Sequence, residues 1–190
     1  MKILFNLFIV SLISTSIWAT DVIKTSKTVN TSESKVAWEG KKITGKHNGL
    51  VSIESGTLDF EDGSLTGGTI VMDMTSMTVE DLEGEWGQKL LGHLQSDDFF
   101  GIESHPTATL VIKTVARKES GEYGITGDIT IKGTTKPVSF DANMSESGAT
   151  AQIVIDRTDF DIRYGSGKFF DNLGDKTIYD DFTLDINLVF

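Results

Sequence analysis

Alternation of apolar and polar residues is the dominant pattern in this chain. In residues 182–190, phenylalanine, leucine, isoleucine and a final phenylalanine occupy every second position, with threonine, aspartate and asparagine among the residues between them. Residues 123–131 largely repeat the pattern with tyrosine and isoleucine. Because successive side chains of a strand point to opposite faces, a period of two predicts half-buried antiparallel strands.

Shorter strand patterns fill most of the remaining sequence, and glycine-containing turns separate several of them. After Val51 and Ile53, the apolar face changes phase at Ser55–Gly56, which predicts a β-bulge or a sharp bend. About eight strands without any βαβ pattern favour a closed antiparallel barrel or a sandwich. A barrel of this size either packs solid or holds one small ligand. The further strands are predicted at residues 35–40, 107–115, 137–143 and 149–155.

One segment breaks this all-β pattern. Thr78 can cap a helix, Asp81 follows at capping-box spacing, and apolar residues then recur at helical intervals. Gly84 and Gly87 weaken the pattern, so we expect one broken helix or two short ones around residues 79–94. Residues 90–100 combine leucines, a histidine, two aspartates and two phenylalanines, which favours a helix end leading into a buried loop over one mouth of the barrel.

The first nineteen residues have the composition of a secretory signal peptide. Lys2 precedes an apolar run over residues 3–13, which fades into serines and ends at Ala19, the expected cleavage site. The alternative is a membrane anchor that stays attached, although the run is shorter than the roughly 20 residues of a membrane span. Residues 20–33 are rich in Thr and Ser and predict a poorly ordered N-terminal arm, so residues 34–190 form the predicted single domain.

Composition restricts the classes of partner. The chain has no cysteine, so its stability owes nothing to disulfides, and its formal net charge is −11. The acidic residues are scattered, which argues against nucleic acid and anionic membrane surfaces as partners. Scattered acidity otherwise indicates only a soluble surface. We expect no stable membrane insertion and either a monomer or a homodimer.

Four short motifs follow one another along the chain: residues 93–100 (His-Leu-Gln-Ser-Asp-Asp-Phe-Phe), 106–108 (Pro-Thr-Ala), 127–137 (from Gly-Asp-Ile-Thr to Lys-Pro) and 157–160 (Arg-Thr-Asp-Phe). Their sequences and their order resemble those of the YceI-like family. The resemblance covers the chain from Trp38 to the C-terminus, with one departure at Asp161, where many members have glycine. It implies an exported or periplasmic protein with a lipocalin-like eight-stranded antiparallel barrel. The elongated cavity of such a barrel would bind polyisoprenoids, quinones or fatty-acid derivatives.

The apolar residues of the predicted barrel and lid are candidates for lining this cavity. Burying each CH₂-sized group of a ligand is worth about 0.8 kcal/mol, so an apolar tunnel can hold a long chain without strong polar contacts. For each candidate the alternative is an ordinary place in a filled core, since alternation cannot distinguish an empty barrel from a packed one. The candidates are Trp38, Ile70, Met72, Met74, Leu91, Leu94, Phe99, Phe100, Phe140 and Phe160.

Polar residues near the predicted mouth are candidates for head-group contacts: His47, His93, Arg157 and Tyr164. His93 could instead hold Ser96 or a backbone carbonyl, and Arg157 could form a structural ion pair with Asp159 or Asp161 rather than bind a phosphate. Tyr164 lies in a glycine-rich stretch that lacks the spacing of a phosphate loop. We expect this stretch to form a loop at a barrel end, with Phe169 and Phe170 as a lid.

No motif predicts an enzyme. A Gly-x-Ser-x-Gly elbow and a His-Glu-x-x-His pattern are both missing from the sequence, and the three histidines are far apart, so we expect no catalytic site, metal or cofactor. The sequence therefore predicts an exported carrier that binds a lipid-like small molecule without transforming it. The alternative is a stress-related interaction protein with a filled barrel, and a hydrolase has less support.

Overall fold

A computed structural model describes residues 21–190, so the signal peptide predicted over residues 1–19 lies outside the described part. Strands account for most of that part, with one α-helix, α1 (Gly84–Gln95). Single 3-10 turns occur at Met74–Ser76, Arg157–Phe160 and Gly174–Lys176. The strands are β1 (Lys24–Thr28), β2 (Lys35–Lys42), β3 (Gly45–Glu61), β4 (Ser64–Asp73), β5 (Thr107–Arg117), β6 (Tyr123–Ile131), β7 (Thr134–Met144), β8 (Gly148–Asp156) and β9 (Ile178–Val189).

Eight of these strands close into an antiparallel barrel, which confirms the predicted fold. The neighbours run in the order β3, β2, β9, β8, β7, β6, β5 and β4, and pairing of β4 with β3 completes the circle. The ladder between β7 and β8 is the shortest, covering only Ala142–Met144 opposite Ala149–Ala151. The register of β3 against β4 shifts between Ile53 and Ser55, which places an irregularity at the predicted phase change.

The N-terminal arm predicted for residues 20–33 is partly a strand. Strand β1 pairs with the second half of β3, on the edge opposite β4, and so continues the line of β2. Its side chains are mostly exposed, but Val29, just after it, is buried in the core. Backbone pairing and an ion pair between Lys24 and Glu61 hold a segment that has no apolar alternation of its own.

Long and short connections separate to opposite ends of the barrel. The mouth end carries the long segments 74–106 and 157–177, together with the turns 43–44 and 132–133. The base end carries the short turns 62–63, 118–122 and 145–147, together with the β1–β2 connection, which bonds to Val189 at the end of β9. At the base, the rings of Phe60 and Phe190 lie 6.1 Å apart and Lys27 Nζ covers both.

Helix α1 begins later than the sequence predicts. Thr78 and Asp81, the expected capping residues, instead contact β3: the Leu50 N–H donates to Thr78 Oγ1 and the Asn48 N–H to Asp81 Oδ1. The helix starts at Gly84, whose φ of +62° suits glycine, and no break follows at Gly87. Over the described residues, no helix has the length and apolar character needed to cross a membrane.

Candidate functional site: an apolar barrel cavity

A cavity of about 290 Å³ lies inside the barrel. At its base it is lined by Leu65, Met144 and Leu188, which belong to the base-end halves of their strands. Polar groups appear towards the mouth, among them Lys42 and Asp181. The cavity is thus apolar through most of its length and polar at one end.

Most of the apolar residues predicted to line a cavity do line this one. Leu91 and Phe160 do not. Leu91 follows the lining residue Leu90 on α1, so it points about 100° around the helix from it. Phe160 is enclosed in the core, within the 3-10 turn after β8. The residues that line the cavity as predicted are Trp38, Ile70, Met72, Met74, Leu94, Phe99, Phe100 and Phe140.

Several lining residues were not predicted as cavity residues. The inward faces of β6 and β9 supply much of the wall, and their alternation was a sufficient signal to identify them. Lys42, Tyr179 and Asp181 had no such signal, because their place at the mouth depends on how β2 and β9 pair. The missed apolar residues of β6 and β9 are Ile125, Ile129, Ile131, Phe182, Leu184, Ile186 and Leu188.

Trp38 is held in place by a close approach to β3. It lies opposite Gly49 in the β2–β3 ladder, and its indole N–H donates to the Thr78 carbonyl at 3.1 Å. A Cβ on Gly49 would lie 1.9 Å from that carbonyl oxygen and 2.9 Å from Trp38 Nε1. Only a glycine lets the segment at Thr78 and the indole both lie against this strand.

Arg157 is a buried cation whose hydrogen-bond donors are satisfied largely by backbone carbonyls. Its guanidinium donates to the carbonyls of Ile162, Ile178 and Tyr179 at 2.8 to 3.1 Å, and an ion pair to Asp180 spans 3.4 Å. Burial lowers the pKa of the guanidinium, and the carboxylates of Asp180 and Asp156 oppose that shift, so the arginine stays charged.

The ion pair of Arg157 is therefore with a residue of β9, and neither Asp159 nor Asp161 provides it. Asp161 instead pairs with Arg163 at 2.6 Å. Although Arg157 lines the cavity, its donors are largely committed to the β8–β9 connection, so its geometry fits a structural role better than phosphate binding.

His93 presents a polar atom without a partner. Its ring lies in the last turn of α1 and packs edge-on against Tyr164 at 4.3 Å and Phe99 at 5.6 Å between centroids. Within residues 21–190, its Nε2 is buried and has no hydrogen-bond partner. The Ser96 hydroxyl donates to the backbone carbonyl of His93 and not to its ring, so the predicted alternative in which the His93 side chain holds Ser96 is not what the structure shows. His93 lines the cavity, whereas Tyr164 packs behind it, half exposed.

His47 lies at the mouth and lines the cavity. Its Nδ1 is 2.7 Å from Asp81 Oδ2. Partial burial acts to raise the pKa of the Asp81 carboxyl, but hydrogen bonds from the Asn48 N–H and from His47 outweigh it and leave the pKa below its usual range. This pair fixes the loop before α1 against the top of β3.

Asp156 organises the connection after β8. Its carboxylate accepts hydrogen bonds from the Thr158 N–H and hydroxyl and from Lys168 Nζ. Burial acts to raise its pKa, but these donors outweigh it and the pKa lies below its usual range. Phe169 and Phe170, predicted to form a lid, belong to this connection, are half exposed and do not line the cavity.

The described residues contain no group of three or more His, Asp or Glu side chains arranged to hold a metal ion.

Comparison with known proteins identifies one family over most of the chain. The sequence model of the YceI-like domain matches residues 28–190. A UPF0312 protein of Shewanella denitrificans is 31% identical over 93 residues, which are 49% of this chain and 47% of that protein. Protein YceI of Escherichia coli O157:H7 is 30% identical over 93 residues, covering 49% of this chain and 46% of that protein. The matched part therefore spans about half the length of these relatives.

Solved structures share the fold. BcnA of Burkholderia cenocepacia superposes with a TM-score of 0.67 at 20% identity, covering 85% of this chain and 99% of that one. A polyisoprenoid binding domain from Saccharophagus degradans, implicated in plant cell wall breakdown, gives 0.58 at 11% identity, covering 89% and 98% of the two chains.

Proposed function

Because this chain belongs to the YceI-like family, we propose that its barrel carries one long apolar molecule, a polyisoprenoid or a similar amphiphile such as a quinone or fatty-acid derivative. The observation that supports this most directly is the cavity, which runs from Leu65 and Leu188 at the base to Lys42 at the mouth. Phe60 and Phe190 pack against each other at the base, so we expect the head group of the cargo at the opposite end, the mouth. The binding of polyisoprenoid by the Saccharophagus domain named above supports the choice of ligand class.

Burial of apolar surface is enough to account for useful affinity. Ten buried CH₂-sized groups would contribute about 8 kcal/mol, which corresponds to a dissociation constant of about 1 μM before the costs of association. Those costs reduce the affinity, so a longer chain or a polar contact is needed for tight binding. A filled barrel would offer no such gain, and the cavity volume therefore favours the carrier over the interaction protein.

His93 is the polar group best placed to select the head group. Its Nε2 is buried at the cavity wall, and a buried donor or acceptor left unpaired costs about 1–3 kcal/mol. A hydroxyl or carbonyl oxygen of the cargo near the mouth would satisfy it. A hydrocarbon of the same length would not, so cargo with an oxygen function is preferred.

Export is part of the proposal and rests on residues 1–19. A periplasmic or secreted carrier would meet its cargo outside the cytoplasm. N-terminal sequencing of the protein recovered from the periplasm and the medium of its host would test this, with a new N-terminus at Thr20 expected. Full-length protein found only in the cytoplasm would contradict export and leave the binding proposal intact.

The binding proposal is tested by native mass spectrometry of the protein from its own host, followed by organic extraction and identification of the released species. We expect a stoichiometric polyprenyl, quinone or acyl compound. The matched variants are Met72→Glu, which places a charge on the cavity wall, and Thr69→Glu, which places it on the outer face of β4. Circular dichroism establishes that both fold.

Folded Met72→Glu should lose cargo, since burying an unpaired carboxylate beside an apolar chain is unfavourable. Thr69→Glu should keep it. Retained cargo in folded Met72→Glu, or a bare parent protein after incubation with polyprenol, quinone and fatty acid, would overturn the carrier.

The role of His93 is tested with a polyprenol and a hydrocarbon of matched chain length. A net hydrogen bond of about 0.5–1.5 kcal/mol predicts a preference for the alcohol of roughly two- to tenfold. His93→Leu should abolish this preference and bind the hydrocarbon at least as well as the parent does. An unchanged preference would remove His93 from the head-group site.

A further inference from the structure

Exposed aromatic side chains gather at one end of the molecule. Over residues 21–190, nine large hydrophobic side chains are exposed, and six of them, between 45% and 71% exposed, lie at the mouth end or at the first residues of β9. The other three are Val22, Ile23 and Val154, all aliphatic. We call the six the mouth rim: Ile43, Trp86, Tyr164, Phe169, Phe170 and Tyr179.

The mouth rim lies at the polar end of the cavity. Trp86 lies two helical turns before His93, on the same face of α1, and Tyr164 packs against that histidine. The Ile43 N–H donates to the Thr177 carbonyl, which places Ile43 beside the start of β9 and Tyr179. Three separate connections therefore bring apolar side chains to the opening through which cargo would pass.

Two cations pack against rim aromatics, and both have a carboxylate partner. Lys89 Nζ and the Arg163 guanidinium lie 4.9 Å from the ring centroids of Trp86 and Phe169. Lys89 pairs with Glu85 at 2.7 Å and Arg163 with Asp161 at 2.6 Å. Aromatic rings that lie beside charged or polar groups are suited to a boundary between hydrocarbon and water.

The charge of the two long mouth segments indicates which surface the rim fits. An anionic membrane would be held by clustered lysines and arginines. Residues 74–106 and 157–177 instead contain eleven Asp and Glu against five Lys and Arg, so these segments carry a net negative charge. A zwitterionic bilayer presents both charges at its headgroups and accepts Trp and Tyr at its interface. Two ion pairs, Lys89 with Glu85 and Arg163 with Asp161, lie among the rim residues, whereas the centre of a stable protein interface is depleted of charged residues.

We propose that the mouth rim docks the barrel on the interfacial zone of a zwitterionic lipid bilayer, so that cargo passes between membrane and cavity without crossing water. This inference rests on the proposed carrier function. It adds a surface and a partner that carriage alone does not require, since cargo could also arrive from solution.

The test uses single-cysteine labelling, which is specific because the full chain has no cysteine. An environment-sensitive fluorophore is placed at Phe170→Cys on the rim, at Val154→Cys on the barrel wall and at Ser120→Cys on the base. Vesicles of phosphatidylcholine and phosphatidylethanolamine carry a quencher in their acyl region. We expect the label at position 170 to brighten and be quenched, and the labels at 154 and 120 to stay in water. Because apolar contact dominates, raising salt from 50 to 500 mM should change binding by less than about twofold.

A second measurement connects docking to loading. The variant Phe169→Ser/Phe170→Ser should take up a fluorescent polyprenol from vesicles about fivefold more slowly than the parent. It should bind the same amount when the polyprenol is supplied in detergent. Val154→Ser, which removes an exposed apolar side chain from the wall, should load at the parent rate.

The outcomes separate the two proposals. Loading from vesicles with a silent label at 170, or with an unchanged rate in the double variant, would overturn the docking surface and leave the carrier intact. A quenched label without any loading would support docking and count against carriage. A label at 170 that responds to protein concentration without vesicles would identify a second copy as the occupant and overturn the membrane proposal.

Discussion

The imidazole of His93 meets the ring of Tyr164 edge-on, with 4.3 Å between the ring centroids. The first residue belongs to α1 and the second to the connection between β8 and β9. Helix α1 and this connection belong to the two long segments at the mouth end. The contact joins the two segments beside the cavity that His93 lines. Opening the mouth by separating the two segments requires this contact to break.

Replacing Tyr164 with alanine should therefore speed the release of cargo. An aromatic pair of this geometry is worth about 0.5–1.5 kcal/mol beyond its buried area, which predicts roughly two- to tenfold faster dissociation. Tyr164→Phe keeps the ring and should release cargo at the parent rate. Displacement of a fluorescent cargo by excess unlabelled cargo measures both. Equal rates for the alanine variant and the parent would show that the mouth opens elsewhere.

Gly49→Ala should destabilise the barrel. The new methyl group would lie 1.9 Å from the Thr78 carbonyl oxygen and displace either that segment or the Trp38 indole. Overpacking of this kind costs about 1–3 kcal/mol or more. The control is Gly40→Ala in neighbouring β2, where a Cβ meets nothing within 4 Å and a stability change within about 1 kcal/mol is expected. Urea unfolding compares the two, and equal midpoints would contradict the close approach.

Acid should destabilise the fold through Asp81 and Asp156. Both carboxyls have a pKa below the ordinary 3.8 in the folded protein. At a pH between the folded and the unfolded pKa, the unfolded chain therefore binds more protons than the folded one. Their stabilisation is complete above the unfolded pKa and is lost as pH falls through the folded value. The urea midpoint of the parent should decrease as the pH is lowered below about 4.5. The double variant Asp81→Asn/Asp156→Asn should have a lower midpoint at neutral pH and a smaller decrease of the midpoint in acid.

The control for this acid effect is Glu119→Gln/Asp171→Asn, which removes two exposed carboxylates. It should follow the pH profile of the parent. A double variant at Asp81 and Asp156 with the same profile as the parent would assign the acid sensitivity to other groups.

The sequence predicts the strands of this fold wherever the alternation of apolar and polar residues matches the alternation of buried and exposed side chains. Alternation located β6 and β9, and the phase change at Ser55–Gly56 located the irregularity between β3 and β4. Strand β1 has no such pattern, because its five residues are held by pairing to β3, far away in sequence. Asp161 takes the left-handed conformation, φ +60°, which accounts for glycine at this position in the resembling motif.

The site was predictable to the extent that it depends on strand faces. Ile70 and Met72 alternate on β4 and both line the cavity. Phe160 lies outside the strands, in a 3-10 turn, so the two-residue alternation cannot predict whether its side chain faces the cavity. The acceptors of Arg157 are backbone carbonyls up to 22 residues away, and no side-chain motif marks them.

Arg157 provides the sharpest test of structure against ligand binding. Arg157→Met removes the donor to three backbone carbonyls and leaves Asp180 with Lys168 as its remaining cation, and breaking a buried charge pair costs about 3–5 kcal/mol. Arg163→Met, whose ion pair is exposed, should cost less than about 1 kcal/mol. If Arg157→Met fails to fold, Arg157→Lys keeps the charge but not the planar fork, and a smaller loss is expected. Asp180→Asn should restore part of the stability to the methionine variant, in which the carboxylate has lost its buried partner. A fully stable Arg157→Met that no longer binds phosphate-bearing cargo would instead make the guanidinium a ligand contact, because a structural arginine cannot be removed without cost.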